Sequence, residues 1–278
     1  MSLEIESGRF VQANGMKIHC HVAGQGAPLV LLHGGGPGAA GWSNYARNIE
    51  PLAKQFRVVV IDLPGYGKSD KKSAASNVFE FMSDTVLGVM DALEIPKASF
   101  VGNSLGGGTT LKLCVRFPER VERMVLMGPA GGLPLFTSPF SEGAKHLRGY
   151  YAGTGPSFEK LKNFLEYLVF DPSQIPDELL RKRFELSTDP EVIANPPLKM
   201  LGRSPGDELW RERLNQLTHR TLLVWGREDR TVTLDSSFIL LRALPNAQLH
   251  VYPSCGHWAQ WERADEFNQL VADFISRA

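Results

Sequence analysis

The chain has 278 residues, 43% of them hydrophobic and 22% charged, with 30 basic and 30 acidic side chains and a formal net charge of zero. That composition excludes disordered, fibrous and membrane-embedded classes, and the absence of a basic stripe leaves no footprint for nucleic acid. Zero net charge gives little protection against self-association, so a homo-oligomer is expected; three well-separated cysteines, Cys20, Cys114 and Cys255, argue against a disulfide framework and for a reducing, cytoplasmic setting.

No run reaches the roughly 18 consecutive apolar residues that a membrane span needs, and the opening MSLEIESGRF lacks the pattern of a signal peptide. From Phe10 to Val22 the pattern alternates around Asn14-Gly15, which reads as an antiparallel hairpin. Six short apolar runs follow: PLVLLHG (28–34), RVVVID (57–62), ASFVGN (98–103), RMVLMG (123–128), TLLVWG (221–226) and QLHVYP (248–253). Runs of this kind suit strands buried on both faces. With the hairpin they predict an eight-stranded sheet. Helical patterns lie between them at 78–93 and 105–117, and the last helix carries Phe267, Leu270, Val271, Phe274 and Ile275 as one stripe. Strands alternating with helices imply an α/β fold with a mostly parallel sheet covered on both sides.

The alternation stops between Thr137 and Pro205, where only helical pattern and loop remain, including the stripe Leu161, Phe164, Leu165, Leu168 and Val169. Insertions at the C-terminal edge of a parallel sheet sit where ligands bind. Residues 137–205 are therefore expected to form a helical lid over a core made of 1–136 and 206–278.

The candidate chemistry starts at GNSLG, residues 102–106. It fits G-x-S-x-G between a strand and a helix, the setting of a nucleophile elbow that projects the serine above the sheet. The alternative is a tight turn with Ser104 as a plain helix N-cap. A serine hydroxyl needs a base to become a nucleophile. The order serine, acid, histidine is met by Ser104, Asp229 in GREDR and His257 in SCGHW, each in a loop after a strand. Asp229 would orient the imidazole and stabilise its cation; Glu228 and Asp235 are rival acids. The glycine run HGGGPG (33–38) lacks the Lys-Ser/Thr of a phosphate loop and the spacing of a dinucleotide fingerprint, so no cofactor is expected. Its N–H groups, that of Gly35 first, can join the N–H of Leu105 around one oxyanion. A metal at His19-Cys20-His21 is rejected because adjacent strand residues point to alternate faces, and Cys255-x-His257 lacks the further ligands of a zinc site.

The chain resembles the α/β-hydrolase fold family along almost its whole length. More narrowly it is similar to the meta-cleavage product hydrolases, which break carbon–carbon bonds in aromatic degradation. The likeness rests on HGGGPGAAGWSNYARN (33–48), DLPGYGKSD (62–70), GNSLGGGT (102–109), MGPAGG (127–132), WGREDR (225–230) and CGHWAQWE (255–262). It implies a small 2-hydroxy-6-oxohexa-2,4-dienoate substrate, hydrolysed to 2-hydroxypenta-2,4-dienoate and a carboxylic acid. It also implies Gly35 and Leu105 as oxyanion donors, and Gly34, Gly36, Asn44, Asn103, Ser173, Arg183 and Trp258 as substrate-site residues.

The residues themselves bear on this. Arg183 shares a helical face with Leu179, Leu180 and Phe184, and a guanidinium on an apolar stripe needs a partner. Its fork suits a carboxylate, though it could instead snorkel or pair with a local acid. Asn44 and Asn103 can donate to an enol oxygen or brace loops; Trp258 can wall a pocket or fill the core. The competing functions are a carboxylesterase on the same triad and a non-catalytic hydrolase-fold binding protein. A haloalkane dehalogenase would need a carboxylate at position 104.

Overall fold

The computed structural model describes residues 3–131 and 141–277. Its strands are β1 (Gly8–Ala13), β2 (Met16–Ala23), β3 (Pro28–Leu32), β4 (Arg57–Ile61), β5 (Ala98–Asn103), β6 (Val121–Met127), β7 (Thr221–Gly226) and β8 (Ala247–Tyr252). The helices are α1 (Leu3–Ser7), α2 (Gly41–Tyr45), α3 (Ile49–Ala53), α4 (Val78–Ala92), α5 (Leu105–Arg116), α6 (Glu142–Gly149), α7 (Phe158–Leu168), α8 (Asp177–Ser187), α9 (Pro190–Ala194), α10 (Asp235–Ala243), α11 (Ala259–Glu262) and α12 (Ala264–Ser276).

All eight strands form one sheet in the order β1-β2-β4-β3-β5-β6-β7-β8. The expected hairpin is β1–β2; its turn places Asn14 at φ 51° and Gly15 at φ 69°, the positive pair that a two-residue hairpin turn demands. β2 pairs antiparallel with β4, and every later pairing is parallel. Because side chains alternate along a strand, the apolar runs feed two cores. Val30, Leu32, Val59, Ile61, Phe100 and Leu126 pack under α4, α5 and α10. Leu29, Leu31, Val58, Val60, Val101 and Val125 pack against α3 and α12. This is why the strands read as continuous hydrophobic stretches rather than as alternating ones.

The order of the strands locates the site. From β3 the chain crosses to β4 on one side and returns to β5 on the other, so the loops after β3 and β5 diverge and leave a crevice at their C-terminal ends. Between β6 and β7 the described residues hold helices and no strand, as expected. Their apolar faces form a third core of Tyr150, Leu161, Phe164, Leu165, Leu168 and Leu180, closed from below by Trp258 and Trp261. Val169 lies one residue past the end of α7, in extended conformation, yet remains fully buried. The boundary expected at 136/137 lies outside the described residues.

One buried histidine makes the fold pH-sensitive. His21 on β2 packs on Trp42 and lies 3.1 Å from Ser7 Oγ. Burial, and next the neighbouring His19, lowers its pKa from 6.5 to about 4. The unfolded chain therefore takes up this proton first as pH falls. The stability His21 contributes is complete above about pH 6.5 and declines as pH drops toward 4. Urea midpoints at pH 7 and pH 5 should fall further for the native sequence than for His21→Gln; equal falls would remove His21 as a cause.

Candidate active site

Ser104 follows β5 directly, with φ 52° and ψ −112°, a conformation that costs a non-glycine residue energy. It stands at the N-cap position of α5, but its side chain makes no capping hydrogen bond. The plain capping alternative therefore fails, and the hydroxyl is left to the cavity. The flanking glycines have a steric reason: a Cβ on Gly106 would lie 2.1 Å from the Leu32 carbonyl oxygen. The strand and helix can meet this closely only without one.

His257 and Asp229 come from loops after β8 and β7. The His257 Nδ1 lies 2.7 Å from Asp229 Oδ2, with both side chains buried. Asp229 Oδ1 accepts from the N–H groups of Thr231 (2.8 Å) and Val232 (2.9 Å), so the carboxylate is fixed on both oxygens. Such second-oxygen bonds set the carboxylate plane and thereby the imidazole's tautomer and tilt. The rival acids lie elsewhere: Glu228 bonds Arg227 and the Cys255 N–H, and Asp235 is exposed at the start of α10. Asn103, next to Ser104, donates through Nδ2 to the His257 carbonyl (3.2 Å), tying the serine strand to the histidine loop.

Ser104 and His257 open onto one cavity of about 480 Å³, which is also lined by Gly34, Gly35, Gly36, Asn44, Asn103, Leu105, Arg183 and Trp258. Every site residue expected from sequence is thus in or directly behind this cavity except Ser173. That residue sits exposed in the 3₁₀ turn Pro172–Gln174, where its hydroxyl donates to Asp171 Oδ1 (2.7 Å) and its N–H to the same atom (3.0 Å). The Asp-Pro-Ser turn turns the side chain onto its own neighbour, outside the cavity.

Leu105 begins α5, where N–H groups have no helical acceptor. Gly35 is adjacent: a Cβ built there would meet the Leu105 side chain at 3.2 Å. The glycine loop is held by two residues that the sequence did not single out. His33 bonds the Gly34 carbonyl through Nδ1 (2.8 Å) and accepts from the Leu63 N–H through Nε2 (3.0 Å); burial lowers its pKa and keeps the ring neutral. Tyr66 donates its hydroxyl to the Gly35 carbonyl (2.9 Å) and lines the cavity. Tyr66 lies within the DLPGYGKSD motif; a reader of sequence alone has no sign of which way its hydroxyl turns.

Arg183, on α8, is 1% exposed. Its Nε donates to the Pro37 carbonyl (3.0 Å), its guanidinium lies 5.0 Å from the Trp258 ring centre, and Nη1 has no hydrogen-bond partner among the described residues. It forms no ion pair with any described carboxylate. Burial lowers its pKa to about 10, so it stays cationic at neutral pH. The described lining of the cavity contains four cations, Arg148, Arg183, Lys199 and Arg203, and no carboxylate. Four buried polar atoms without partners among the described residues, Arg183 Nη1, Asn103 Oδ1, Thr231 Oγ1 and His257 Nε2, belong to residues lining this one cavity. Native interiors leave few such groups, and they mark places where a ligand completes the bonding. No group of three or more potential metal ligands occurs among the described residues; His19 and His21 bond Asp62 and Ser7.

A family model described as alpha/beta hydrolase fold matches residues 27–158 and 203–264. The chain is 44% identical to a 2-hydroxy-6-oxo-6-phenylhexa-2,4-dienoate hydrolase of Burkholderia cepacia, over 98% of each chain. It is 42% identical to a 2-hydroxy-6-oxononadienedioate/2-hydroxy-6-oxononatrienedioate hydrolase of Comamonas testosteroni, again over 98% of each. Among solved structures it superposes on the meta-cleavage product hydrolase CumD of Pseudomonas fluorescens IP01, a variant complexed with acetates. The TM-score is 0.85, with 37% identity over 98% of both chains.

Asp229→Asn should keep the fold but slow labelling of Ser104 by a fluorophosphonate by about 10⁴-fold, the order expected when the histidine loses its orienting carboxylate. Asp235→Asn should change the rate less than twofold. Equal losses would move the acid role away from Asp229.

Proposed function

The chain belongs to the α/β-hydrolase fold family and, within it, to the meta-cleavage product hydrolases, and from that premise we propose that it hydrolyses the C5–C6 bond of 2-hydroxy-6-oxohexa-2,4-dienoates. The products are 2-hydroxypenta-2,4-dienoate and the carboxylic acid derived from C6. The observation that carries this reading beyond a general ester hydrolase is Arg183, a buried cation facing the cavity with no carboxylate partner among the described residues. Burying an unpaired charge costs on the order of several kcal/mol. A substrate carboxylate offsets that cost; a neutral ester does not.

In this reading the substrate lies across the sheet edge. Its carboxylate and 2-oxygen meet Arg183, over the loop after β3, with Asn44 and Asn103 as neutral amides nearby and Trp258 as a wall. Gly34 and Gly36 let the backbone come close: a Cβ at Gly36 would lie 2.8 Å from Arg183 Nη2. The C6 carbonyl lies at Ser104, its oxygen between the N–H groups of Gly35 and Leu105.

The chemistry has two stages. First a proton leaves the 2-hydroxyl and one is delivered to C5, with His257 as the shuttle, so the dienol becomes a 2,6-diketone. This step makes C5 able to leave with an electron pair, because the pair delocalises toward the 2-oxo acid. Then His257 takes the proton of Ser104, and the serine oxygen attacks C6. The C5–C6 bond breaks, the leaving dienolate takes that proton from His257 and departs as the dienol, and water activated by His257 releases the acyl group as an acid, the proton returning to Ser104. Donors placed for the oxyanion before it forms need no reorganisation, which is the main source of such rate gains.

We take residues 137–205 as the lid and the remainder as the core. The reading also retains a homo-oligomer in the cytoplasm. Large apolar side chains on the surface, including Phe10, Phe170 and Phe238, support self-association, and three buried free cysteines suit a reducing setting. No helix of the described residues is long and apolar enough to cross a membrane.

Ser104→Ala should lower dienoate turnover by about 10⁶-fold, as for other serine triads, measured by the decay of the dienolate's visible absorbance. Near-normal decay would refute the nucleophile. Arg183→Ala should lower kcat/KM on a dienoate by about 10²-fold, as when a buried charge pair loses one partner, while an uncharged aryl ester loses less than about threefold. Equal losses on the two would remove the carboxylate-binding role.

A further inference from the structure

Outside the triad, the loop that carries His257 is held in an unusual way. Its three consecutive N–H groups each have a different acceptor. Cys255 N donates to Glu228 Oε2 (3.0 Å), Gly256 N to Glu262 Oε1 (2.8 Å), and His257 N to the Leu168 carbonyl at the end of α7 (2.7 Å). The second oxygen of Glu262 accepts from Phe170 N (2.6 Å), just past that same helix end. Glu262 forms no ion pair among the described residues. Its charge is directed onto backbone N–H groups of two segments that are far apart in sequence, and such charge-assisted bonds are stronger than neutral ones.

Two further contacts tie the same places together. Gly256 has no room for a side chain: a Cβ there would lie 2.7 Å from the Leu168 carbonyl oxygen, 2.8 Å from the Val169 carbonyl carbon and 2.9 Å from Phe170 N. Arg230, adjacent to Asp229, donates to the carbonyls of Glu166 (2.6 Å) and Val169 (3.0 Å). The last carbonyls of a helix have no acceptor role within it and take partners from outside. Here those partners are the neighbours of the acid and the backbone of the base. The same helix sends Phe164 and Leu168 into the cavity wall.

We propose that Glu262 is a positioning residue, whose carboxylate clamps the His257 loop to the end of α7 so that the imidazole is registered against the cavity's cover as well as against the sheet. This rests on His257 being the base of the proposed reaction. It goes beyond that reading by assigning a role to a residue that touches neither substrate nor imidazole.

The test uses the full-length protein with Glu262→Gln, Glu262→Ala and Gly256→Ala. Three quantities are read: kcat and KM on a dienoate, the rate of fluorophosphonate labelling of Ser104, and the low-field proton resonance of the His257 Nδ1–H bonded to Asp229. A misplacement of the base of about 1 Å costs on the order of 10²-fold. The glutamine variant keeps one acceptor oxygen and should lose 10- to 100-fold in kcat and in labelling, with KM within about threefold. The alanine variant should lose more. Gly256→Ala, which leaves the carboxylate intact but pushes the cover away, should match the glutamine variant, and the low-field proton should shift in all three. Unchanged labelling and an unmoved proton in Glu262→Gln and Gly256→Ala, both folded by circular dichroism, would overturn the proposal. Failure of the unaltered enzyme to label would sink the triad reading instead, and the proton, which needs no turnover, still reports on Glu262.

Discussion

A guanidinium buried without a carboxylate is the constraint around which this molecule is arranged. Arg183 could be made harmless by pairing with any of the chain's acids, and it pairs with none of the described ones. Its stem lies on the apolar face of α8, and its head is held by one backbone carbonyl and the face of Trp258. Much of the surrounding geometry is needed to hold it there. The glycine loop after β3 has to pass close beneath it, so Gly38 adopts a positive φ with the Arg183 backbone where a side chain would stand. Trp258 has to follow His257 directly, so the tryptophan under the cation and the imidazole proposed as the base share one short loop. In the proposed reading, substrate charge and substrate chemistry are fixed relative to each other through a few residues of backbone.

The sheet supplies the other half of this rigidity. Ser104, Asp229 and His257 arise from loops after three different parallel strands; β5 and β7 are buried throughout, while β8 is the half-buried edge strand paired to β7 along its length. The strain in the Ser104 backbone is tolerated because β5 lies in the middle of the sheet and α5 packs directly behind it. The cover is less firmly built, being a small helical core that rests on Trp258 and Trp261. Its firmest attachment among the described contacts is at the end of α7, against the loops of the acid and the base. The consequence is a site whose reactive groups are fixed from below by the sheet and from above by one helix end.

Much of this was legible in the sequence. The strands announced themselves because burial on both faces forces continuous Val and Leu runs, and the elbow because only glycine tolerates the approach of Gly106 to Leu32. Asp229 could be preferred over its rivals from its place in the turn. Arg183 stood out because a charge on an apolar stripe violates local expectation, which is where function tends to reside. Other parts were not legible. Ser173 was carried over from the family pattern, but the proline before it and Asp171 turn its hydroxyl outward. Tyr66, His33 and Glu262 look like ordinary loop and helix residues. Their roles depend on hydrogen bonds to backbone atoms of remote segments, and no periodicity or spacing encodes which backbone atom a side chain will meet.

The central claim is that a dianionic dienolate or its ketone lies across the C-terminal ends of β3, β5 and β6 with its acid end on Arg183. A crystal structure of the Ser104→Ala protein with a bound dienoate tests this most directly. The carboxylate should be found on the Arg183 guanidinium beside Trp258, with the C6 oxygen between the N–H groups of Gly35 and Leu105. A dienoate bound in reverse, with its carboxylate toward Thr231 and Val232 and Arg183 still unpaired, would contradict the account.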